Sequence, residues 1–356
     1  MPFQHVHLGA GALGLGLICP VAVAAGGKCT ILNRDSPSAI PRLRAINDNR
    51  GYHIHPYGCD RTFVKVVAAS TYEEADLEAL GGQAGDLLLT TALKREGLLA
   101  SLGVIRRILE VRGARPTAVL AGENQVDTQF LRDQLVASGF KPQDGTLFVR
   151  AVVDRICNKP TVGDNGLEVT CEEFARIYVE WAGNLFIRGL AKQEHWEVVT
   201  DFQFIVDRKK WVVNASHLLM SLVAHYFRHP SVKSFASEEF GRRLLDKSVS
   251  EFTTLMIGYY DQIGRRGFRS QLEQFAPHLK GRIATFPQRY PDVVTRFSAP
   301  ASLPAFFEDF HRKITELTLA KFHRTATAPY FSSLVTHIVI DLIKNERWIR
   351  DAKPAV

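Results

Sequence analysis

Long apolar runs are missing from this chain. No stretch approaches the ~18–20 residues needed to cross a bilayer. The longest, near Leu15–Ala25, is short, follows a glycine turn and has no cationic segment before it. That pattern excludes a membrane protein, argues against secretion and sets a cytoplasmic location as the expectation. Cysteine is scarce too: Cys19, Cys29, Cys59, Cys157 and Cys171 form no CxxC pair and no zinc-like spacing. Neither a disulfide framework nor a zinc module is expected, only reduced thiols and no metal. Three Met against 22 Phe point to well-specified aromatic cores. Repeats of 20–50 residues are absent, which removes a solenoid. No long basic run accompanies the +7 net charge. Scattered Lys and Arg disfavour nucleic acid as a partner and suit an anionic small-molecule substrate or a phosphate-rich cofactor.

What is present is a chain of 356 residues, 46% hydrophobic, more than one compact core usually holds. Two domains follow as the expectation, 1–195 and 196–356, with the boundary placed to within ten residues. Over the first, apolar β-rich runs alternate with helical stretches. Strand-like runs fall at Phe3–Leu8, Cys29–Leu32, Phe63–Val67, Asp86–Thr91, Thr117–Ala121 and Leu147–Val153, with helices at Leu99–Val111 and Thr128–Ser138. Such alternation predicts an α/β, Rossmann-type, doubly wound parallel sheet. Beyond residue 196 helical periodicity takes over, at His217–Phe227, Glu238–Tyr260, Ser302–Lys321 and Tyr330–Asn345. The second domain is therefore expected to be mostly α-helical, with an active site between the two.

Two clusters carry chemistry. Gly9-Ala10-Gly11-Ala12-Leu13-Gly14 is GxGxxG directly after the first strand. Gly9 permits a tight turn, Gly11 lets backbone approach a pyrophosphate, and Gly14 lets the helix pack closely on the strand. The next strand ends at Asn33-Arg34-Asp35. An acid at its tip would bind the ribose of NAD, whereas Asn33 and Arg34 suit a 2′-phosphate and favour NADP. A strand one or two residues longer would bring Asp35 to the tip and restore NAD. The second cluster is Asp207–His217, DRKKWVVNASH. Hydride transfer from an alcohol needs a base and donors that hold the oxygen, roles that Lys, Asn and His can fill. On a plain helix Lys210, Asn214 and His217 form an i, i+4, i+7 stripe, so helical geometry favours Lys210.

Taken in order, these segments resemble the polyol-specific long-chain dehydrogenases, the family of mannitol dehydrogenase and mannitol-1-phosphate 5-dehydrogenase. The likeness rests on His7–Gly11, Asp86–Ala92, Ala121–Asn124, Val153-Asp154-Arg155-Ile156 and Asp207–His217. It implies an NAD(P) oxidoreductase acting on a CH–OH group without a metal. It also implies Lys209 and not Lys210 as general acid/base, Asn214 on the reacting oxygen and His217 on an adjacent hydroxyl. Lys209 would fit if the helix began late, which the β-branched pair Val212-Val213 allows. Thr91, Glu123 and Asn124 are expected beside the cofactor.

The chain departs from the family where Arg150 stands in place of an Asn four residues before Asp154. That cation points to a phosphorylated or otherwise acidic polyol or ketose. Arg150, Asp154 and Arg282 are its candidate contacts, although Asp154 and Arg155 also suit a buried structural pair. Two other readings stand beside this one: a ketopantoate-reductase or 6-phosphogluconate-type dehydrogenase, and an NADP-binding protein without catalysis. A monomer or dimer is expected. His53, His55 and Cys59 read as rim residues rather than a metal cluster, and Glu172-Glu173 as a solvated helix start.

Overall fold

A computed structural model describes residues 2–123, 128–181, 185–190 and 192–288. The helices expected at Ser302–Lys321 and Tyr330–Asn345, and Asn124, lie outside them. The chain divides into two compact units, Met1–Val206 and Asp207–Val356.

The first unit carries every strand among the described residues. Its first eight are β1 (Phe3–Leu8), β2 (Gly27–Asn33), β3 (Gly51–Pro56), β4 (Thr62–Lys65), β5 (Ala68–Thr71), β6 (Leu87–Thr91), β7 (Thr117–Ala121) and β8 (Thr146–Phe148). Then come β9 (Ala151–Asp154), β10 (Thr161–Gly163), β11 (Gly166–Cys171), β12 (Arg176–Glu180) and β13 (Trp196–Val199). Six of them form one sheet in the order β5-β2-β1-β6-β7-β8, parallel throughout. This is the doubly wound order, with the direction of winding reversing between β1 and β6, where the carboxyl ends of the strands open a ligand crevice. Every residue of β6 and β7 is buried, which is why both read as unbroken apolar runs instead of alternating ones. Layers of Leu, Ile and Val cover both faces.

Several expected elements are corrected. Phe63–Val67 is not a strand of the main sheet: Thr62–Lys65 pairs antiparallel with β3, and the main sheet takes Ala68–Thr71 instead. Phe63 is 47% exposed; its hairpin is a half-buried surface pair. Leu147–Val153 splits at Val149-Arg150 between β8 and β9, which belong to different sheets. The helix at Leu99–Val111 is two helices, Arg95–Ala100 and Leu102–Arg112, broken where Ser101 Oγ donates to the Leu98 carbonyl at 2.8 Å. Glu172 is no solvated helix start but buried at the end of β11, its Oε1 accepting the Ile156 N–H at 2.5 Å.

The described part of the second unit is helical, as Ala215–Tyr226, Val232–Ala236, Glu239–Gln262 and Phe268–Thr285. The last of these, with Pro277 inside it, was not recognised in the sequence. Trp211 and Phe286 are buried.

Candidate active site

In the first unit the loop after β1 is shaped by its glycines. Gly9 has φ +117°, and a Cβ there would stand 2.8 Å from the Ala92 carbonyl. A Cβ on Gly14 would fall 2.2 Å from His7 Nε2 and 2.7 Å from the Gly9 carbonyl. Gly11 differs: its nearest neighbour would be the Ala92 carbonyl at 3.9 Å. The loop is thus tight against the sheet on two glycines and open at the third, the cradle a pyrophosphate needs. His7 beneath it is fully buried, and burial first, then the neighbouring His5, hold its pKa down at about 3, against the pull of the Gly9 carbonyl. The ring is neutral.

Pro20 in the helix that follows has no N–H to offer the Gly16 carbonyl four residues back. Arg155 Nη1 donates to that carbonyl at 2.8 Å and Nε to the Glu172 carbonyl at 2.8 Å. Arg155 therefore braces the loop helix against β11. Asp154 is buried beside it in sequence, on β9.

β2 ends at Asn33. Asn33 Oδ1 accepts the Ala10 N–H at 3.3 Å, and Arg42 Nη1 donates to the Ala10 carbonyl at 3.0 Å. Arg34 follows, exposed. Tyr72, directly after β5, donates its N–H to the Asn33 carbonyl at 2.9 Å. Its phenol oxygen is buried with no hydrogen-bond partner, near enough to feel both Arg34 and Glu123. Arg42 and Tyr72 belong to no motif, and sequence reading missed both; only the sheet order reveals them at this edge. An orphaned buried hydroxyl and an open glycine cradle on one sheet edge fit a dinucleotide.

Glu123 follows β7. Its Oε1 accepts from Thr91 Oγ1 at 2.9 Å and from the Leu93 N–H at 2.6 Å. Thr91 and Glu123 are thus brought together at the carboxyl edge. Burial raises the Glu123 carboxyl from the ordinary 4.5 to about 7, against those two hydrogen bonds. A raised carboxyl pKa means the folded state holds a proton that the unfolded state releases, so stability falls as pH rises from about 4.5 to about 7. Glu123→Gln keeps both acceptor contacts and is expected to flatten that fall, read as denaturant midpoint against pH. An unchanged slope would show that Glu123 ionises normally.

Arg150, between β8 and β9, pairs with Glu180 at 3.4 Å and lies 4.5 Å over the Phe202 ring.

The helix that carries Lys209, Asn214 and His217 does not begin late. It starts upstream at Phe202–Asp207, passes through a π-helical segment at Arg208–Asn214 and continues as Ala215–Tyr226. This overturns the stripe that favoured Lys210 and also the late start invoked for Lys209. An α-helix turns 100° per residue, an i→i+5 helix only about 80°. On an α-helix Lys210 would lie roughly 20° from His217 about the axis and Lys209 roughly 80° away. The π turn reverses this, leaving Lys209 roughly 20° and Lys210 roughly 100° from His217. Lys209 and Asn214 are half-buried and His217 is buried, whereas Lys210 is exposed, its ammonium 5.0 Å from the Trp211 ring. Upstream, Asp207 accepts the Tyr260 hydroxyl at 3.1 Å, which ties the start of the segment to Glu239–Gln262; downstream, Ser221 Oγ donates to the His217 carbonyl at 2.8 Å within the same helix.

Arg282 is buried near the end of Phe268–Thr285. Arg269 pairs with Asp261, and Lys280 with Asp246 at 3.1 Å. His55 and Arg61 both approach Glu168, at 3.4 and 3.3 Å, and Cys59 is exposed, so that group is a surface cluster.

No family model matches the chain. It is 25% identical over 271 residues to a mannitol-1-phosphate 5-dehydrogenase of Shouchella clausii, covering 72% of this chain and 69% of the relative. A mannitol-1-phosphate 5-dehydrogenase of Thermoanaerobacter pseudethanolicus is 24% identical over 264 residues, 70% of this chain and 65% of that one. The chain thus spans about two thirds of the length of these relatives. Among solved structures, mannitol 2-dehydrogenase of Pseudomonas fluorescens, in ternary complex with NAD and D-mannitol, matches with TM-score 0.63 at 12% identity. That match covers 97% of this chain and 80% of the other.

Proposed function

Taking the chain as a member of the mannitol dehydrogenase family, we propose that it is an NAD(P)-dependent oxidoreductase interconverting a polyol and its ketose, with a phosphorylated substrate. The observation that carries the mechanism is the π turn that sets Lys209 on the same side of its helix as His217. When bound, the nicotinamide supplies or accepts the hydride. Lys209 takes the hydroxyl proton in oxidation and returns it in reduction, so its pKa must lie near the working pH. The Asn214 amide donates to the reacting oxygen as charge develops there, and His217 holds a neighbouring hydroxyl. Thr91 and Glu123 line the cofactor edge.

Support for the phosphate comes from the mannitol-1-phosphate relatives. Arg150 contributes less to this reading than its sequence position suggested, because Glu180 and Phe202 already engage it. The test follows nicotinamide absorbance over hexitol phosphates, free hexitols and 2-oxoacids with each cofactor. The expected result is kcat/KM at least about tenfold higher for a phosphate ester than for its free hexitol, the advantage of one charge-assisted contact. Equal use of the free hexitol would remove the phosphate from the proposal; turnover of 2-oxoacids alone would replace it with the reductase reading.

NADP is the proposed preferred cofactor, with NAD also accepted. A strand tip without a carboxylate, an Asn33 already spent on Ala10 and an exposed Arg34 support it. Arg34→Ala is expected to lower kcat/KM with NADP by about ten- to a hundredfold and to leave NAD within a few-fold. Equal losses with both cofactors would mean that Arg34 does not read the 2′-phosphate.

A further inference from the structure

Below the glycine loop, three metal-ligating side chains meet in the core of the first unit. His5 on β1 stands directly opposite Cys29 on β2 in the parallel register, so the two share a face of the sheet. Cys19 opens the helix Cys19–Ala24 that packs on β2. All three are at most 1% exposed, and one ligand atom from each lies within 4.8 Å of the other two. Buried thiols can be inert small hydrophobes, but the imidazole cannot. His5 Nε2 is hydrogen-bonded to Thr90 Oγ1 at 2.8 Å, while its Nδ1 is buried with no hydrogen-bond partner. An orphaned ring nitrogen beside two thiols is the donor set of a soft cation, and the Thr90 contact on the opposite nitrogen is the outer support that ligating histidines use.

We infer that His5, Cys19 and Cys29 form a buried site for a thiophilic closed-shell cation, zinc(II) or copper(I). Two ions share this chemistry for different reasons. Two thiolates and a neutral imidazole cancel the charge of zinc(II), which a dry core requires. Copper(I) leaves one net negative charge, yet soft thiolate ligands select it as well as zinc. Tyr52 Oη, which contacts Cys19 and donates to the Leu15 carbonyl at 2.7 Å, is a candidate to complete a four-coordinate zinc shell. With no ligand open to substrate the ion is structural, tying together β1, β2 and the loop helix. Binding expels the two thiol protons and forms two metal–sulfur bonds without any change of oxidation state.

The full chain, kept reduced and stripped with a chelator, is offered Zn(II) alone or Cu(I) alone and passed through gel filtration. About one equivalent of one ion is expected to stay bound and to raise the thermal midpoint. Cobalt(II) in its place is expected to give thiolate-to-metal charge-transfer absorption. Cys19→Ala and Cys29→Ala should each abolish retention and absorption, while Cys59→Ala, at an exposed thiol, should keep both. If a core variant fails to fold, X-ray absorption of the loaded wild type decides instead, two sulfur neighbours supporting the site and none overturning it. Folded wild type that retains neither ion, or retention unchanged in the folded Cys29→Ala chain, would also overturn it. Nicotinamide turnover enters none of these readings, so the site and the proposed reaction stand or fall separately.

Discussion

Lys209→Ala is expected to cut turnover by a factor on the order of 10³ or more, with cofactor affinity unchanged, whereas Lys210→Ala should stay within about tenfold of the parent. The contrast between adjacent lysines is what gives the experiment force. Both carry the same charge, and both occupy the π segment Arg208–Asn214. They differ in phase: Lys209 is half-buried on the His217 side, and Lys210 is exposed over Trp211. A general effect of lowering the positive charge would appear in both variants. Loss of a positioned acid/base appears in one, as a drop in kcat with little change in cofactor Kd. Adding a small amine should restore part of the Lys209→Ala activity, since the cavity left by the side chain can admit it. Full turnover in that variant, or a larger loss at Lys210, would remove Lys209 from the mechanism.

Gly14→Ala is the second large effect. Its Cβ would overlap His7 Nε2 at 2.2 Å and the Gly9 carbonyl at 2.7 Å, distances real Cβ atoms do not tolerate. Neither neighbour can withdraw easily. The His7 ring is fully buried and bonded through Nδ1 to Thr90 Oγ1 at 2.7 Å, and the Gly9 carbonyl is backbone at the turn. The helix must therefore move off the strand. The expected cost is about 1–3 kcal/mol of stability for overpacking, with cofactor affinity reduced at least about tenfold as the loop loses its shape. Gly11→Ala is the informative companion, because its Cβ meets only the Ala92 carbonyl at 3.9 Å. That variant should keep its thermal midpoint and lose cofactor affinity alone. Equal thermal midpoints for both variants and the parent would mean that the helix is not seated on His7.

The strand-turn-helix at the N-terminus was legible because all of its information is local: an apolar run, three glycines at fixed spacing, then a helix. β7 was recovered to the residue, since a strand buried on both faces leaves an uninterrupted apolar signature. Phe63–Val67 misled for the opposite reason. Its apolar residues are those of an exposed hairpin, and the true third strand of the sheet, Ala68–Thr71, is short and half polar. The Arg155 side of the site was half visible. Its motif stood out, but its task, meeting the carbonyl that Pro20 leaves without a donor, depends on a contact 139 residues away in sequence.

Composition and spacing alone determined an α/β unit with a glycine loop after its first strand and a helical partner, and they proposed a short list of lysine, asparagine and histidine. Hydrophobic periodicity and glycine placement are properties of neighbouring residues, and they survive without any knowledge of distant packing. Which lysine shares the histidine's side of the helix was decided only in three dimensions, because one widened turn changes the phase of every residue before it and leaves no trace in a 3.6-residue pattern. The meeting of His5, Cys19 and Cys29 is of the same kind: parallel strand register and a helix laid across it bring together residues that spacing keeps apart.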